Sequence, residues 1–379
     1  MESMTTDRTG RPMSAEYVMV GGFLGAGKTT ALLRLAEYFT AQQRRVGLIT
    51  NDQSHGLVDT SMVEARGYPV EEITGGCFCC RFTSLTDAAD RLTRDARPDV
   101  FLAEPVGSCT DLSATVALPL RSMYGDRYAV SPLSVLVDPD RALRVLGVES
   151  GRSFSPKVQY IYRKQLEEAD VLVINKVDTV THTRVGMLRA ELEAAYPAAR
   201  ILEISARTGA GVGDWIDGLL DVQGSGRVLD IDYDTYADGE ALLGWLNCTV
   251  DLDGPPVDGD EVLRAIARRV HTDLGTSGLE IAHLKLTLTP VGGRGISVVN
   301  AVRTDAPPET AFALDAHLDV GEITLNLRAE APPERLESAV RRALQDESHA
   351  SSTALTVRHL ERFRPGRPTP THRMAGAAS

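Results

Sequence analysis

Two short stretches of this chain have the residue types and spacing to hold a nucleotide. The run Gly22-Phe-Leu-Gly-Ala-Gly-Lys-Thr29 has the pattern G-x4-G-K-T. It follows an apolar run and opens a helical pattern, so its backbone N–H groups can turn inward onto phosphate oxygens at a helix N-terminus. Gly22, Gly25, Ala26 and Gly27 would form the cradle, with Thr30 just inside the helix. Lys28 would reach the β- and γ-phosphates, and the Thr29 hydroxyl would ligate Mg²⁺. Asn175-Lys176-Val177-Asp178 ends a second apolar run, 171–174. A carboxylate such as Asp178 can accept both N1–H and the exocyclic amine of guanine. Adenine lacks that pair of donors, so the arrangement favours GTP over ATP. Ser205 and Ala206 end the next apolar run, where a backbone N–H can meet guanine O6.

Acids at two other strand ends complete the expected site. Glu104 in Glu104-Pro-Val-Gly107 can hold Mg²⁺ directly or through water, and the Gly107 N–H can sense the γ-phosphate. Asp52 follows the run 45–50 and is a second acidic candidate. Lys28, Glu104 and Asp52 are the candidate catalytic groups. Water would be the nucleophile, and catalysis would be mostly charge stabilisation. No arginine finger or catalytic Gln stands out, so slow intrinsic turnover is expected.

A different chemistry sits in Gly75-Gly76-Cys77-Phe78-Cys79-Cys80. Thiolates bind Zn²⁺ well, and C-x-C-C presents three sulfurs on one short loop. Three ligands leave one position open, which suits a site that accepts and releases its metal. His55 and Cys109 are the residues that could join it, although a solvated loop imidazole and a small buried thiol are the better readings of the two.

These residues need a frame. From Glu16 to about Leu220, short apolar runs alternate with helical patterns. The runs 17–20, 45–50, 70–73, 100–103, 134–137, 171–174 and 201–204 read as strands. Runs apolar on both faces and separated by helices predict a mostly parallel sheet, an α/β P-loop NTPase fold with ligands at the carboxyl ends of its strands. Residues 223–240, rich in Gly and Asp, read as a linker. A smaller α+β carboxyl-terminal domain follows over 241–363. Leu284, Leu286 and Leu288 there alternate with His283, Lys285 and Thr287, a strand with one dry face. Residues 1–14 and the Pro- and Arg-rich stretch 364–379 read as flexible tails, leaving the nucleotide domain at 15–222.

Bulk properties narrow the function further. A chain of 379 residues is too long for one typical core. The net charge of −12 argues against a general nucleic-acid binder. No apolar run approaches the length needed to cross a bilayer, and Met1 to Ala15 lacks the core of a signal peptide, so a cytoplasmic protein is expected. Five cysteines with three crowded into four positions suggest metal chemistry before disulfides.

In order and spacing, these motifs resemble the CobW-type GTPases, relatives of the UreG and HypB nickel-insertion GTPases. Gly21 to Thr30 is similar to their phosphate loop, and Gln165 to Asp178 to their guanine strand. The resemblance covers roughly Glu16 to Leu220. It implies a metallochaperone that uses GTP to load or release zinc or cobalt on Cys77, Cys79 and Cys80 for a client metalloprotein, often as a homodimer. It also implies that Glu104 is the acid of the E-x-x-G element. The chain departs from the family at Val106, where Thr is usual, and at Asn51-Asp52-Gln53-Ser54-His55, where the family has an acidic Asn-Glu segment. It has no His-rich stretch. Two other readings remain at this point. One is a GTP-dependent regulatory switch with structural cysteines. The other is an activator of a corrinoid or metal enzyme.

Overall fold

The computed structural model describes residues 14–51, 63, 66–220, 224–293 and 295–375. The first half of the chain builds a parallel sheet from β1 (Ala15–Gly22), β2 (Val46–Asn51), β3 (Val70–Ile73), β4 (Val100–Glu104), β5 (Tyr128–Val130), β6 (Ser134–Val137), β7 (Val171–Ile174) and β8 (Arg200–Glu203). Their order is β3-β2-β4-β1-β6-β7-β8, with β5 also paired to β1. Every pairing is parallel. Parallel strands need crossover connections, and the helices that supply them cover both faces. One face is packed by Phe23, Phe78, Phe82, Leu85 and Leu112. The other is packed by Leu32, Leu35 and Phe39 of α1 (Lys28–Ala41) and by Trp215 and Ile216. The strands are therefore apolar throughout, and the polar groups collect at their ends. β5 was not anticipated, because three residues are too few to show a pattern.

The second half is an antiparallel sheet. It contains β9 (Leu243–Asp258), β10 (Ile281–Pro290), β11 (Ser297–Ala301), β12 (Glu309–Phe312), β13 (His317–Glu330) and β14 (Ala354–Phe363), in the order β12-β11-β10-β13-β9-β14. Helices Gly259–Thr276 and Pro333–Ser351 cover one face. Leu246, Cys248, Val250, Leu284, Leu286, Leu325 and Leu327 pack beneath them. The intervening residues point the other way, and the structure corrects the expectation of one dry and one wet face. Lys285, Thr287, Asn247, Asn326 and Arg328 are buried too, beside the parallel domain.

Two segments differ from the sequence reading. Within 223–240, Asp232 accepts hydrogen bonds from the Asp234 and Thr235 amides and starts the helix Tyr233–Leu242. Tyr236 and Glu240 are buried there, so the Gly- and Asp-rich composition hid a packed element. The stretch read as a tail from Arg364 makes fixed contacts through Met374, described below. Among the described residues, no helix is long and apolar enough to cross a membrane.

Candidate functional site

The loop between β1 and α1 can hold only glycine at its corners. Gly22 has φ +131°, and a Cβ there would lie 2.6 Å from the Leu136 carbonyl oxygen. Gly27 has φ +92°, and its Cβ would lie 2.6 Å from Asn175 Nδ2. Lys28 and Thr29 then open α1 and are buried. Lys28 Nζ lies 3.8 Å from Glu104 Oε1, and Thr29 Oγ1 donates to the same oxygen at 3.3 Å. Three candidates from β4 and the phosphate loop thus converge. A hydroxyl beside a carboxylate is an oxygen donor pair of the kind Mg²⁺ takes, so these side chains fit the ion. Gly107 packs on the same loop; a Cβ there would lie 2.9 Å from Leu24 N. Gln165 Nε2 holds that segment by donating to the Gly107 and Cys109 carbonyls at 2.9 and 2.7 Å. Asp52 and His55 lie outside the described residues.

The N-K-x-D residues split into two that fasten neighbouring loops and one that faces the cavity. Asn175 Nδ2 donates to Ala26 O at 2.9 Å, and its Oδ1 accepts from Ala206 N at 3.0 Å. Lys176, in the left-handed region at φ +59°, donates to Gly25 O and Asp138 Oδ2, both at 2.7 Å. Burial opposes ionisation of Asp138, but Lys176 holds its carboxyl down at about 2. Both residues therefore tie the β7 end to the phosphate loop. The Ser205 amide is taken by Ala210 O at 2.9 Å. Asp178 lines the open cavity and pairs with Arg207. Burial pushes its carboxyl up, yet Ser205 and Arg207 keep it below its ordinary value.

The cavity that these groups line has a volume of about 450 Å³, within the range of small-molecule sites. Its opposite wall comes from the antiparallel sheet. Trp245, His283, Lys285, Asn300, Asn326 and Arg328 line it. Arg328 stacks on Trp245 at 4.0 Å and donates to Asn247 Oδ1 at 2.7 Å, which also accepts from Asn326 at 2.9 Å. The domains touch at the cradle itself. A Cβ on Gly25 would come within 2.7 Å of Val302, and Arg141 donates to the Ala282 carbonyl at 3.3 Å and to that of Val302. Sequence reasoning missed this wall. Its signal was a polar or cationic residue at alternate positions in central strands.

The thiol loop is built by a tight turn. Cys80 N and Arg81 N donate to Cys77 O at 3.0 and 2.9 Å, just before the helix Phe82–Asp95. This brings the sulfurs to one side: Cys77–Cys79 2.8 Å, Cys77–Cys80 3.2 Å and Cys79–Cys80 3.7 Å, all free thiols. Tetrahedral zinc with Zn–S near 2.3 Å sets its sulfurs about 3.8 Å apart, so the donor set fits with a small opening. The thiols of Cys109, Cys79 and Cys80 hold the Cys77 thiol well below its ordinary value. Cys109, Cys77 and Cys80 raise Cys79 well above it, and Cys77 is the main cause that pushes Cys80 up to about 11. Cys109 itself is raised, first by burial and then by Cys77.

One side chain joins the two sites. Asn51 ends β2 and lines the nucleotide cavity. Its Nδ2 donates to Ile73 O at 3.0 Å and Gly76 O at 2.7 Å, and its Oδ1 accepts from Phe78 N at 2.9 Å.

Residues 16–203 match the family described as CobW/HypB/UreG, nucleotide-binding domain. Zinc chaperone CobW from Sinorhizobium is 27% identical over 212 residues, 50% of this chain and 58% of that protein. Zinc chaperone YeiR from Escherichia coli K12 is 29% identical over 166 residues, 43% of this chain and 47% of that protein. The chain thus spans about half the length of the curated relatives it matches. The solved structure of hydrogenase maturation factor HypB from Archaeoglobus fulgidus is 22% identical, aligned over 54% of this chain and 87% of that one, with a TM-score of 0.39. The amino-terminal half of the chain, residues 16–203, belongs to the CobW/HypB/UreG family of nucleotide-binding domains.

Proposed function

We propose that this chain binds and hydrolyses GTP and uses the nucleotide cycle to control a transition metal, zinc by preference, carried on Cys77, Cys79 and Cys80 for a client metalloprotein. The observation that carries this reading is Asn51, which lines the nucleotide cavity while bonding Gly76 and Phe78, the residues on either side of Cys77 where the thiol turn begins. These hydrogen bonds are the route by which a shift at the end of β2 would reach Cys77. The names of the relatives, zinc chaperones among them, support the same cargo.

In this reading the cradle amides and Lys28 bind the triphosphate. Thr29 and Glu104 would hold Mg²⁺, which neutralises phosphate charge when bound. Lys28 stabilises charge that grows on the γ-phosphoryl oxygens as water attacks. Asp178 selects guanine, and Asn175 and Lys176 keep the reader in register with the cradle. Ser205 and Ala206 close the guanine end, Ala206 through Asn175. Asp52, which follows β2 in the sequence, is proposed as a second acid for Mg²⁺.

The test is a zinc titration of the full chain beside Cys77→Ser/Cys79→Ser/Cys80→Ser, with phosphate release from GTP followed in both. Wild type should bind one zinc tightly and release phosphate slowly, while the triple variant keeps its nucleotide and loses the metal. Equal zinc affinities would remove the metal reading. Absence of phosphate release would leave a GTP-binding switch instead.

A further inference from the structure

The carboxyl-terminal segment past β14 does not trail into solvent. It crosses back over the parallel domain and lies on the thiol loop. Thr371 N donates to Cys79 O at 2.8 Å, Thr371 Oγ1 to Cys80 O at 3.1 Å, and Thr369 N to the Cys80 sulfur itself at 3.3 Å. The segment is extended, and its burial alternates. Pro368, Pro370, His372 and Met374 face inward, while Arg367, Thr369, Thr371 and Arg373 are exposed. The His372 ring meets Phe82 edge-on at 5.0 Å, two residues past Cys80.

Both ends are tied down. Before the thiols, Arg367 pairs with Asp234 at 2.5 Å, and Arg364 donates to the Ala241 carbonyl. After them, Arg373 donates to Asp111 Oδ2 and to Leu229 O, each at 2.7 Å, and Met374 N donates to Ala114 O at 2.9 Å. Asp111 is a buried carboxylate held in the left-handed region at φ +65°, and it also accepts from the Tyr233 hydroxyl at 2.7 Å. It lies four residues past Gly107, in the loop that packs on the phosphate cradle. Two prolines in the span keep the strap extended, which lowers the entropy lost on docking.

We propose that residues 367–374 are a removable cover of the thiol centre, which lifts when metal enters or is handed on. The inference rests on the thiol loop being the metal carrier, and it adds the element that regulates access to it. Docked, the strap screens the sulfurs and occupies the Cys80 sulfur with the Thr369 N–H. Lifted, it opens the face that a client would approach. The contacts are a few hydrogen bonds, one exposed ion pair and one partly buried ion pair on an extended segment, which is the kind of attachment that opens locally without unfolding the domain.

The experiment uses the full chain, a version ending at Gly366, and Arg373→Ala in the full chain. Two rates are read: labelling of the metal-free thiols by an aromatic disulfide reagent, and transfer of zinc from the loaded protein to a small chelator. Circular dichroism checks the fold. Removing the strap should speed both rates by about tenfold or more, as expected when the net stabilisation of one or two hydrogen bonds is lost. Arg373→Ala should fall between and does not depend on the truncated chain folding. Unchanged labelling in both variants would overturn the cover. Faster labelling in a protein that binds no zinc even when full-length would keep the cover and overturn the metal reading instead.

Discussion

The two sheets place their polar residues in opposite ways. In the parallel sheet, the groups able to meet a nucleotide follow one another in the chain: Gly22 to Thr30, Glu104 to Gly107, Asn175 to Asp178. In the antiparallel sheet they come singly, one or two per strand at alternate positions: Trp245 on β9, His283 and Lys285 on β10, Asn300 on β11, Asn326 and Arg328 on β13. The cause is geometric. Parallel strands buried on both faces can expose polar atoms only at their ends, so chemistry collects in loops. An antiparallel sheet covered by helices on one side has a whole face to spare, and its period of two spreads that face thinly through the sequence.

The sharpest way to break this comparison is on the parallel side. Lys28→Ala removes the one side-chain cation at the start of α1 and should weaken GTP binding about 100-fold, measured by calorimetry with Mg²⁺. A change of only about twofold would mean that the cradle amides need no lysine, and the loop would lose its assigned role. The antiparallel side gives the next effect. Lys285→Ala should cost about tenfold in GTP affinity, with its effect shrinking as salt is raised. If affinity holds, the polar face of the second sheet serves packing alone, and the cavity has one working wall.

The smallest effect is at the seam. Glu240 lies in the helix that joins the two sheets. Burial raises its carboxyl from 4.5 to about 8, with the nearby Ser108 hydroxyl opposing and Cys77 adding to the rise. Between these values the folded chain keeps a proton that the unfolded chain releases. Stability therefore falls as pH rises through the window, and the full penalty is present above about 8. Glu240→Gln should remove the penalty. Its melting temperature should match wild type near pH 4.5 and exceed it by ~5 °C near pH 9. A constant difference across pH would show that Glu240 carries no titration of its own.

Much of the parallel half was readable because its physics is local. A glycine at positive φ, a lysine at a helix start and four apolar residues in a row each leave a mark in the sequence. β5, of three residues, was too short to leave one, and β12, Glu309–Phe312, has no run of apolar residues. The helix Tyr233–Leu242 was hidden by its aspartates and glycine, although Asp232 is an ordinary N-cap. The role of Asn51 was invisible because its partners, Ile73, Gly76 and Phe78, are more than twenty residues away. The strap over the thiols was misread for the same reason. Pro- and Arg-rich segments cannot form a core, and this one docks through Asp111 and Cys80, each more than 250 residues distant.

The central claim is that the nucleotide and the thiols feel one another through the end of β2. The direct measurement is zinc affinity of the full chain with a non-hydrolysable GTP analogue and again without nucleotide, paired with analogue affinity with and without zinc. A difference of about tenfold in zinc affinity, matched by the same factor in analogue affinity, is what a shared Asn51 requires. Identical zinc affinities with and without the analogue would contradict the account.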